Sequence, residues 1–279
     1  MRIGVVAPSA RIDQSVAERV AAVAGARFGD GAPELVFHPQ CFLSSGHFAG
    51  DDAARAAAFL EVANDPGFDA LWLARGGYGA CRLAEAVLPK LTDAARAKRY
   101  LGYSDAGFLL AGMYAQGFDT LAHGPMVSDI RRKGGEAAVE RALVWLIAGD
   151  PAALEPHVSA QAPAAAFNLT ILSQLLGTPW QPDLTGHLLM LEEVDEPMYR
   201  IDRSLFHVTS NPAIRRVAGI RLGRVSEIVP NDPDFELTEE QVIDHWCAKA
   251  GIPYLGRADI GHDIANKVVP FGRGPSVSS

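Results

Sequence analysis

The first half of this chain alternates short apolar runs with longer segments whose apolar residues recur at helical spacing. This alternation predicts a mainly parallel sheet wrapped by helices, because two parallel strands are joined through a long crossover connection. Ligands of such sheets bind beyond the carboxyl ends of the strands. The predicted strands cover residues 3–7, 34–37, 70–74, 99–103 and 120–123, and the predicted helices cover 14–24, 51–63, 80–88 and 105–116.

The middle of the chain marks a change of organisation. A helical pattern over residues 135–148 is followed by a stretch that is rich in Ala and Pro, has few charges and shows no clear periodicity. A linker is the simplest interpretation of such a stretch. We therefore expect a first domain at residues 1–150, a linker at 151–166 and a second domain at 167–279.

The second domain carries a looser pattern than the first. Strands are predicted at 187–194 and 217–222, and a helix is predicted near 168–176. Another helix begins after Thr238, because Thr238 and Gln241 have the spacing of a capping box. The strands are less regularly interleaved with helices than those of the first domain, which favours a smaller mixed or barrel-like unit.

Composition excludes several classes of function. The 279 residues are 48% apolar and 21% charged, which is typical of a globular protein with a substantial core. A net charge of −8 gives no basic surface for nucleic acid or anionic lipid. The first residues lack the features of a secretory signal, and no apolar run approaches 18 residues. We therefore expect a cytoplasmic protein with neither nucleic acid nor membrane as a partner.

The cysteines and histidines do not have metal-ligand spacing. Cys41, Cys81 and Cys247 lie far apart, are odd in number and lack the paired spacing of a zinc site. The sequence also contains no His-Glu-x-x-His segment of the kind that metallopeptidases use. We interpret the three thiols as buried or incidental, and we expect neither a metal ion nor a cofactor.

One segment has the form of a nucleophile elbow. The predicted strand that contains Gly102 stops just before Ser104, and a helical pattern follows at once. A sharp strand-to-helix turn exposes a hydroxyl, and the first helical N–H groups can stabilise an oxyanion. An ordinary helix cap, with Ser104 or Asp105 accepting a backbone N–H, is the alternative. Ala106 also replaces the second Gly of the usual motif, so a hydrolase needs a base and an acid elsewhere.

Candidates for that base and acid occur in the second domain. Glu192 begins a run of four acids within five positions, and strand alternation places Glu192 and Glu193 on opposite faces. His262 lies in a predicted turn beside Gly261, where an imidazole can serve as a general base. A solvated acidic surface and a surface histidine remain the alternatives for these residues. The order Ser104, Glu192, His262 matches that of the α/β-hydrolases, which is weak evidence on its own.

A glycine-rich loop follows the predicted strand at 70–74. Its sequence is Arg75-Gly76-Gly77-Tyr78-Gly79, in which glycine lets the backbone approach a ligand and turn N–H groups towards it. The spacing fits neither the dinucleotide fingerprint nor the P-loop, which disfavours a nucleotide site. A tight structural turn is the alternative to an anion or oxyanion site.

Together these segments resemble the LD-carboxypeptidases, a family of serine peptidases that includes murein tetrapeptide carboxypeptidases and microcin C7 self-immunity peptidases. The resemblance extends over nearly the whole chain, with the segments in the expected order. The matching segments are Ile3-Gly4-Val5-Val6-Ala7-Pro8-Ser9, Ala74-Arg75-Gly76-Gly77-Tyr78-Gly79, Gly102-Tyr103-Ser104-Asp105, His123-Gly124-Pro125-Met126, Leu191-Glu192-Glu193-Val194, Tyr199-Arg200-Ile201-Asp202-Arg203 and Gly261-His262.

The resemblance implies a catalytic triad of Ser104, Glu192 and His262. It also implies a flavodoxin-like N-terminal domain that carries the serine, and a smaller β-rich C-terminal domain that carries the other two residues. Many members are homodimers, and their usual reaction releases terminal D-alanine from cytoplasmic murein tetrapeptides during cell-wall recycling. The substrate would then be a small peptide.

The mechanism of a serine peptidase implies roles for further residues. Backbone N–H groups of Gly77 and Asp105 would hold the oxyanion, and Arg75 or Arg203 would bind the terminal carboxylate of the peptide. Departures from the family pattern leave the substrate open, since Ala166-Phe167-Asn168-Leu169 stands where relatives often have Gly-Gly-Asn-Leu. The alternatives are a peptidase for aminoacyl-nucleotide conjugates, a general esterase and a non-catalytic binding protein.

Overall fold

The structure of the protein is a computed structural model that describes residues 1–274. The last five residues of the expected second domain, 275–279, lie outside the described residues. Within the described chain the strands are β1 (Arg2–Val6), β2 (Glu34–Phe37), β3 (Ala70–Leu73), β4 (Arg99–Gly102), β5 (Leu121–His123), β6 (Pro163–Asn168), β7 (Leu188–Val194), β8 (Gly219–Ser226), β9 (Tyr254–Arg257), β10 (Val269–Pro270) and β11 (Gly272–Arg273).

Most of the predicted α-helices begin within two residues of their expected starts, but the helix expected at 80–88 begins at Ala84 after a 3₁₀ turn, and the helices at 93–96 and 198–210 were not predicted. The side chain of Asp51 accepts a hydrogen bond from the N–H of Ala54 at the start of one helix, and Thr238 and Gln241 form the expected capping box. The helices are α1 (Gln14–Phe28), α2 (Asp52–Asn64), α3 (Ala84–Val87), α4 (Asp93–Arg96), α5 (Gly107–Ala115), α6 (Glu136–Ala148), α7 (Leu169–Leu175), α8 (Met198–Ser210) and α9 (Glu239–Ala250).

The first sheet has the strand order β10-β5-β4-β3-β1-β2. All pairs from β5 to β2 are parallel, whereas β10 is antiparallel to β5. Without β10 this is the order 2-1-3-4-5 of flavodoxin-like domains. The near-continuous apolar character of β3, which is buried throughout, fits a parallel sheet covered on both faces. The predicted α/β fold with a flavodoxin-like first unit is confirmed.

The second sheet has the strand order β11-β6-β7-β8-β9. Its pairs are parallel except for the antiparallel pair of β11 with β6. The described strands keep an open order with β11 and β9 at its ends, so this sheet does not close into the barrel that the sequence pattern admitted. It is a smaller unit of mixed strand direction, packed with α7, α8 and α9.

Two segments connect the sheets more closely than a linker would. Strand β6 begins at Pro163, within the stretch 151–166 that we expected to be a linker, and β10 returns from the second half of the chain to pair with β5. The largest cluster of buried apolar residues also includes members of both halves, among them Tyr103, Phe167 and Leu191. The domain boundaries themselves remain a prediction.

Candidate active site

Ser104 lies in the sharp turn between β4 and α5. Its φ angle is +59°, in the left-handed region that a non-glycine residue enters at a cost of about 1–3 kcal/mol. A short 3₁₀ turn, Ser104–Ala106, then leads into the helix. The strand, strained turn and helix are the arrangement that the sequence predicted for a nucleophile elbow. The Ser104 side chain is half-buried and lines an open cavity of about 270 Å³.

His262 lines the same cavity from the second half of the chain. Its Nδ1 lies 2.5 Å from Oε2 of Glu192, and both side chains are buried. Glu192 is the fifth residue of β7. A carboxylate on Nδ1 leaves Nε2 as the nitrogen that can accept a proton.

Carboxylates around His262 make its imidazole more basic. Burial, the largest single influence, lowers the pKa of this imidazole, but Glu192 together with the charges of Asp129 and Glu193 raises the pKa above the ordinary value of 6.5. Tyr103 packs against the imidazole, with the ring centres 4.7 Å apart, and the Tyr103 hydroxyl donates to Asp129 at 2.9 Å. The imidazole is therefore held both at one nitrogen and on one ring face.

Glu193 and Glu196, two other acids of the run that begins at Glu192, have other partners. Both oxygens of Glu193 are occupied by donors, which include the side chain of Asn168 at 2.5 Å and the N–H and hydroxyl of Thr170 at 2.8 and 2.7 Å. Glu193 thus joins β7 to the start of α7. Glu196 forms an ion pair with Arg200 at 3.3 Å and lines a different cavity. Neither carboxylate contacts His262 in the hydrogen bonds of the described residues.

The glycine-rich loop lies directly against the nucleophile. A Cβ on Gly76 would be 3.0 Å from Oγ of Ser104, so a larger residue would crowd the hydroxyl. Gly77 has a φ of +105°, which side chains rarely adopt, and it is exposed at the cavity. Within residues 1–274 the N–H of Gly77 donates to no backbone acceptor outside helices and strands. Gly77 lines the cavity, whereas Asp105 is buried in the turn beside Ser104 and is not among the residues that line it.

The structure separates the two arginines proposed for carboxylate binding. Arg75 lines the cavity with Ser104, is half-buried and forms no ion pair with a described carboxylate. Burial and the neighbouring Arg131 lower its pKa below the ordinary value, yet a guanidinium stays charged in proteins. Arg203 is exposed on α8, lies over the ring of Tyr199 and lines another cavity. Its position does not support the role we considered.

Sequence reasoning missed several groups around the cavity. Arg131 and Arg132 line it beside Arg75, and each is paired with an aspartate, Asp13 at 2.8 Å and Asp129 at 3.2 Å. The sequence feature that could have pointed to Arg131 and Arg132 is their position after β5, a strand of the first sheet. Of the three arginines that line the cavity, Arg75 is the one without a carboxylate partner among the described residues.

His123 is buried close to the candidate base but outside the cavity. Burial is the main cause that lowers the pKa of its imidazole to about 3, and the charge of His262 acts in the same direction. His123 is therefore neutral, and its ring packs edge-on against Tyr103 at 5.5 Å. The segment after it contributes Met126 to the cavity.

The described residues contain neither a metal-binding cluster nor a helix that could cross a membrane. No cluster of three or more His, Cys, Asp or Glu side chains could hold a metal ion within residues 1–274. None of the helices in this part of the chain is both long and apolar enough to cross a membrane. Cys41 and Cys247 are buried and Cys81 is partly buried, all as free thiols.

Known protein families match both halves of the chain. Residues 3–124 match the family model of the LD-carboxypeptidase N-terminal domain, and residues 162–276 match that of the C-terminal domain. The chain is 30% identical to a Bacillus subtilis protein named "Probable murein peptide carboxypeptidase", over 81% of this chain and 74% of that protein.

Solved structures share the fold. A muramoyltetrapeptide carboxypeptidase from Oxalobacter formigenes superposes with a TM-score of 0.81 and 24% identity, covering 98% of this chain and 93% of the other. The microcin C7 self-immunity protein MccF, in complex with aspartyl sulfamoyl adenosine, has a TM-score of 0.79 and 20% identity over 97% and 91%. These likenesses show the fold, and the two family models together span both halves of the molecule. The chain belongs to the LD-carboxypeptidase family.

Proposed function

We propose that the protein is a serine-type carboxypeptidase that releases terminal D-alanine from murein tetrapeptide by hydrolysing an L,D amide bond. The observation that supports this proposal is that Ser104 and His262 line one cavity and that Nδ1 of His262 lies 2.5 Å from Oε2 of Glu192. Family membership and the murein peptide carboxypeptidase name of a relative support the choice of substrate.

The proposed reaction proceeds in two steps. His262 accepts the proton of the Ser104 hydroxyl as Oγ attacks the scissile carbonyl, and Glu192 stabilises the resulting imidazolium. The N–H groups of Gly77 and Asp105 bind the oxyanion. The imidazolium then protonates the leaving amine, D-alanine departs, and an acyl-enzyme remains. Water that gives its proton to His262 attacks this ester and releases the shortened peptide.

Arg75 binds the terminal carboxylate in this proposal. Its guanidinium lines the Ser104 cavity and has no carboxylate partner among residues 1–274. One terminal nitrogen donates to the carbonyl of Arg11 at 3.1 Å, which leaves the other N–H groups for paired hydrogen bonds with a ligand. Recognition of a free carboxylate is what restricts the enzyme to the last residue of a peptide. An amidated terminus would lose this contact.

One set of assays tests the substrate. The protein is incubated with a murein tetrapeptide, with its carboxamide analogue and with an aminoacyl-sulfamoyl adenosine, and the products are measured by mass spectrometry. We expect release of D-alanine from the tetrapeptide and at most slow cleavage of its carboxamide analogue. Cleavage of the conjugate alone would favour the immunity-type activity, and activity on simple esters alone would favour an esterase. No reaction with any of them would favour a non-catalytic binding protein.

We further propose that the enzyme is a cytoplasmic homodimer acting in cell-wall recycling. The three free thiols fit a reducing compartment. Tyr199 and Phe206 expose large aromatic surfaces on α8, which suits a face covered by a second copy. Light scattering coupled to size-exclusion chromatography tests the assembly, and a mass of one chain would contradict it. Fractionation of cells that produce the protein tests its compartment.

A further inference from the structure

The side chain of Asp105 points away from the cavity that Ser104 lines. Its carboxyl group is buried, and Oδ2 accepts hydrogen bonds from the hydroxyl of Ser9 and, at 2.8 Å, from the N–H of Ala80. Ser9 follows β1, Ala80 ends the glycine-rich loop after β3, and Asp105 follows β4. One carboxyl group therefore joins the loops beyond three neighbouring strands of the sheet.

Arg55 makes a second connection between two of the same loops. This arginine extends from α2 into the core, where its side chain is fully buried. One of its terminal nitrogens donates to the carbonyl of Pro8 and, at 3.0 Å, to that of Gly79. A backbone hydrogen bond of 3.2 Å from Ala10 to the carbonyl of Gly76 adds a third contact. The loop that contains Gly77 is thus held at both ends.

Stability alone does not account for the carboxyl group of Asp105. Burial raises its pKa above the ordinary value, although hydrogen bonds from Ser9 and Ala80 and the charge of Arg55 oppose this rise. Its second oxygen, Oδ1, is buried without a hydrogen-bond partner among the described residues. A buried acid with one unsatisfied oxygen is a costly way to join two loops. The presence of this buried carboxyl group is better explained by the loop geometry that it fixes.

We propose that the side chain of Asp105 is a positioning group that holds the Gly77 loop against the Ser104 turn, so that the two oxyanion donors keep their spacing. This inference rests on the proposed function. Asp105 supplies one donor from its own backbone, and its side chain fixes the loop that supplies the other. An oxyanion hole needs this precision because its donors act only on the charge that develops in the transition state.

The test compares Asp105→Ala, Asp105→Asn and the wild-type enzyme. In Asp105→Ala the loop is released, so we expect kcat to fall on the order of 10²-fold, as for the loss of one oxyanion donor, with KM nearly unchanged. Asp105→Asn should recover most of this loss, because its amide oxygen, placed where Oδ2 lies, can accept from both Ser9 and Ala80. A role in charge alone would give no such rescue.

A peptide boronate provides a readout that a structural role would not move. It forms a tetrahedral adduct with a serine and so requires the oxyanion donors, whereas the product peptide does not. We expect Asp105→Ala to weaken boronate binding by the factor lost in kcat/KM and to leave product binding nearly unchanged. Wild-type kcat, or boronate affinity equal to that of the wild type, would overturn the proposal.

Two further variants complete the design. Ser9→Ala removes one donor to Asp105 with little change in volume, and it gives the same test if Asp105→Ala does not fold. Glu193→Gln is the matched control, because Glu193 is a buried acid that also accepts several hydrogen bonds but lies away from the loop. It should change thermal stability more than boronate affinity. If the wild type neither released D-alanine nor bound the boronate, the proposed function would fail instead.

Discussion

Glu192 and Glu193 are neighbours in sequence, yet strand alternation sends them to opposite faces of β7. Glu192 meets the imidazole of His262, whereas Glu193 satisfies donors at the start of α7. The sequence pattern predicted that the two acids lie on different faces of the strand. It did not predict which face lies against the base, because His262 is 70 positions away from Glu192 in the chain. The choice depends on tertiary contact.

The pH profile of kcat/KM tests the role of Glu192. The raised pKa means that His262 keeps its proton to a higher pH, so the acidic limb should lie above the ordinary imidazole value of about 6.5. Replacing Glu192 by Gln removes the main attraction while burial remains. We expect the limb to move to lower pH and the plateau to fall by a factor on the order of 10² or more.

Glu193→Gln serves as the comparison in the same assay. Its charge contributes less to the pKa of His262 than that of Glu192, so the limb should move only slightly. A larger loss of activity in this variant than in Glu192→Gln would show that the acid has been assigned wrongly.

Two arginines can be distinguished by kinetics on the tetrapeptide. Arg75→Gln removes a charged partner for the terminal carboxylate, a contact of about 1.5–3 kcal/mol, so KM should rise roughly 10- to 100-fold. Arg203→Gln should behave nearly as the wild type, because Arg203 lines another cavity. Equal effects of the two changes, measured by steady-state kinetics, would contradict this assignment.

At the scale of elements, the strength of the local signal decides what could be predicted. Strands β1 to β5 are bounded by turn residues and carry apolar runs, and the structure places each within one residue of its predicted start. The sequence pattern did not predict β6, because its residues are mostly Ala and show no alternation of apolar and polar side chains. Strands β10 and β11 contain two residues each, too few for any pattern, and their pairing depends on distant partners.

The start of α9 was predicted from its capping box. Thr238 accepts the N–H of Gln241 at 3.2 Å, and the side chain of Gln241 accepts the N–H of Thr238 at 2.9 Å. Thr238→Ala should lower the free energy of unfolding by about 1 kcal/mol, and Thr238→Ser should lower it less. Urea denaturation followed by circular dichroism measures both changes. Activity should stay at the wild-type level, since α9 lines no part of the Ser104 cavity.

An unchanged urea midpoint in Thr238→Ala would show that the reciprocal hydrogen bonds do not stabilise the helix. The test is clean because both side chains are exposed, so that packing of the core is not altered.

At the scale of the whole molecule, the candidate site depends on both halves of the chain. Ser104 follows a strand of the first sheet, Glu192 lies in the second sheet, and His262 lies between β9 and β10. The main buried cluster contains side chains from both halves. The sequence motifs pointed to these three residues. The structure adds that Glu192 contacts His262 and that Ser104 and His262 line the same cavity.

This shared core predicts one cooperative unfolding transition. Scanning calorimetry should give a single peak whose calorimetric and van't Hoff enthalpies agree, because neither half can expose its side of the cluster without disturbing the other. Two resolved peaks would contradict this expectation and would show that the halves unfold independently.

The most direct test of the account is the rate at which Ser104→Ala releases D-alanine from murein tetrapeptide, measured beside the wild type by mass spectrometry. Circular dichroism of the variant verifies that its fold is intact. We expect the turnover of Ser104→Ala to fall on the order of 10⁴-fold or more, since the other groups cannot form the acyl-enzyme. Release at the wild-type rate would contradict it.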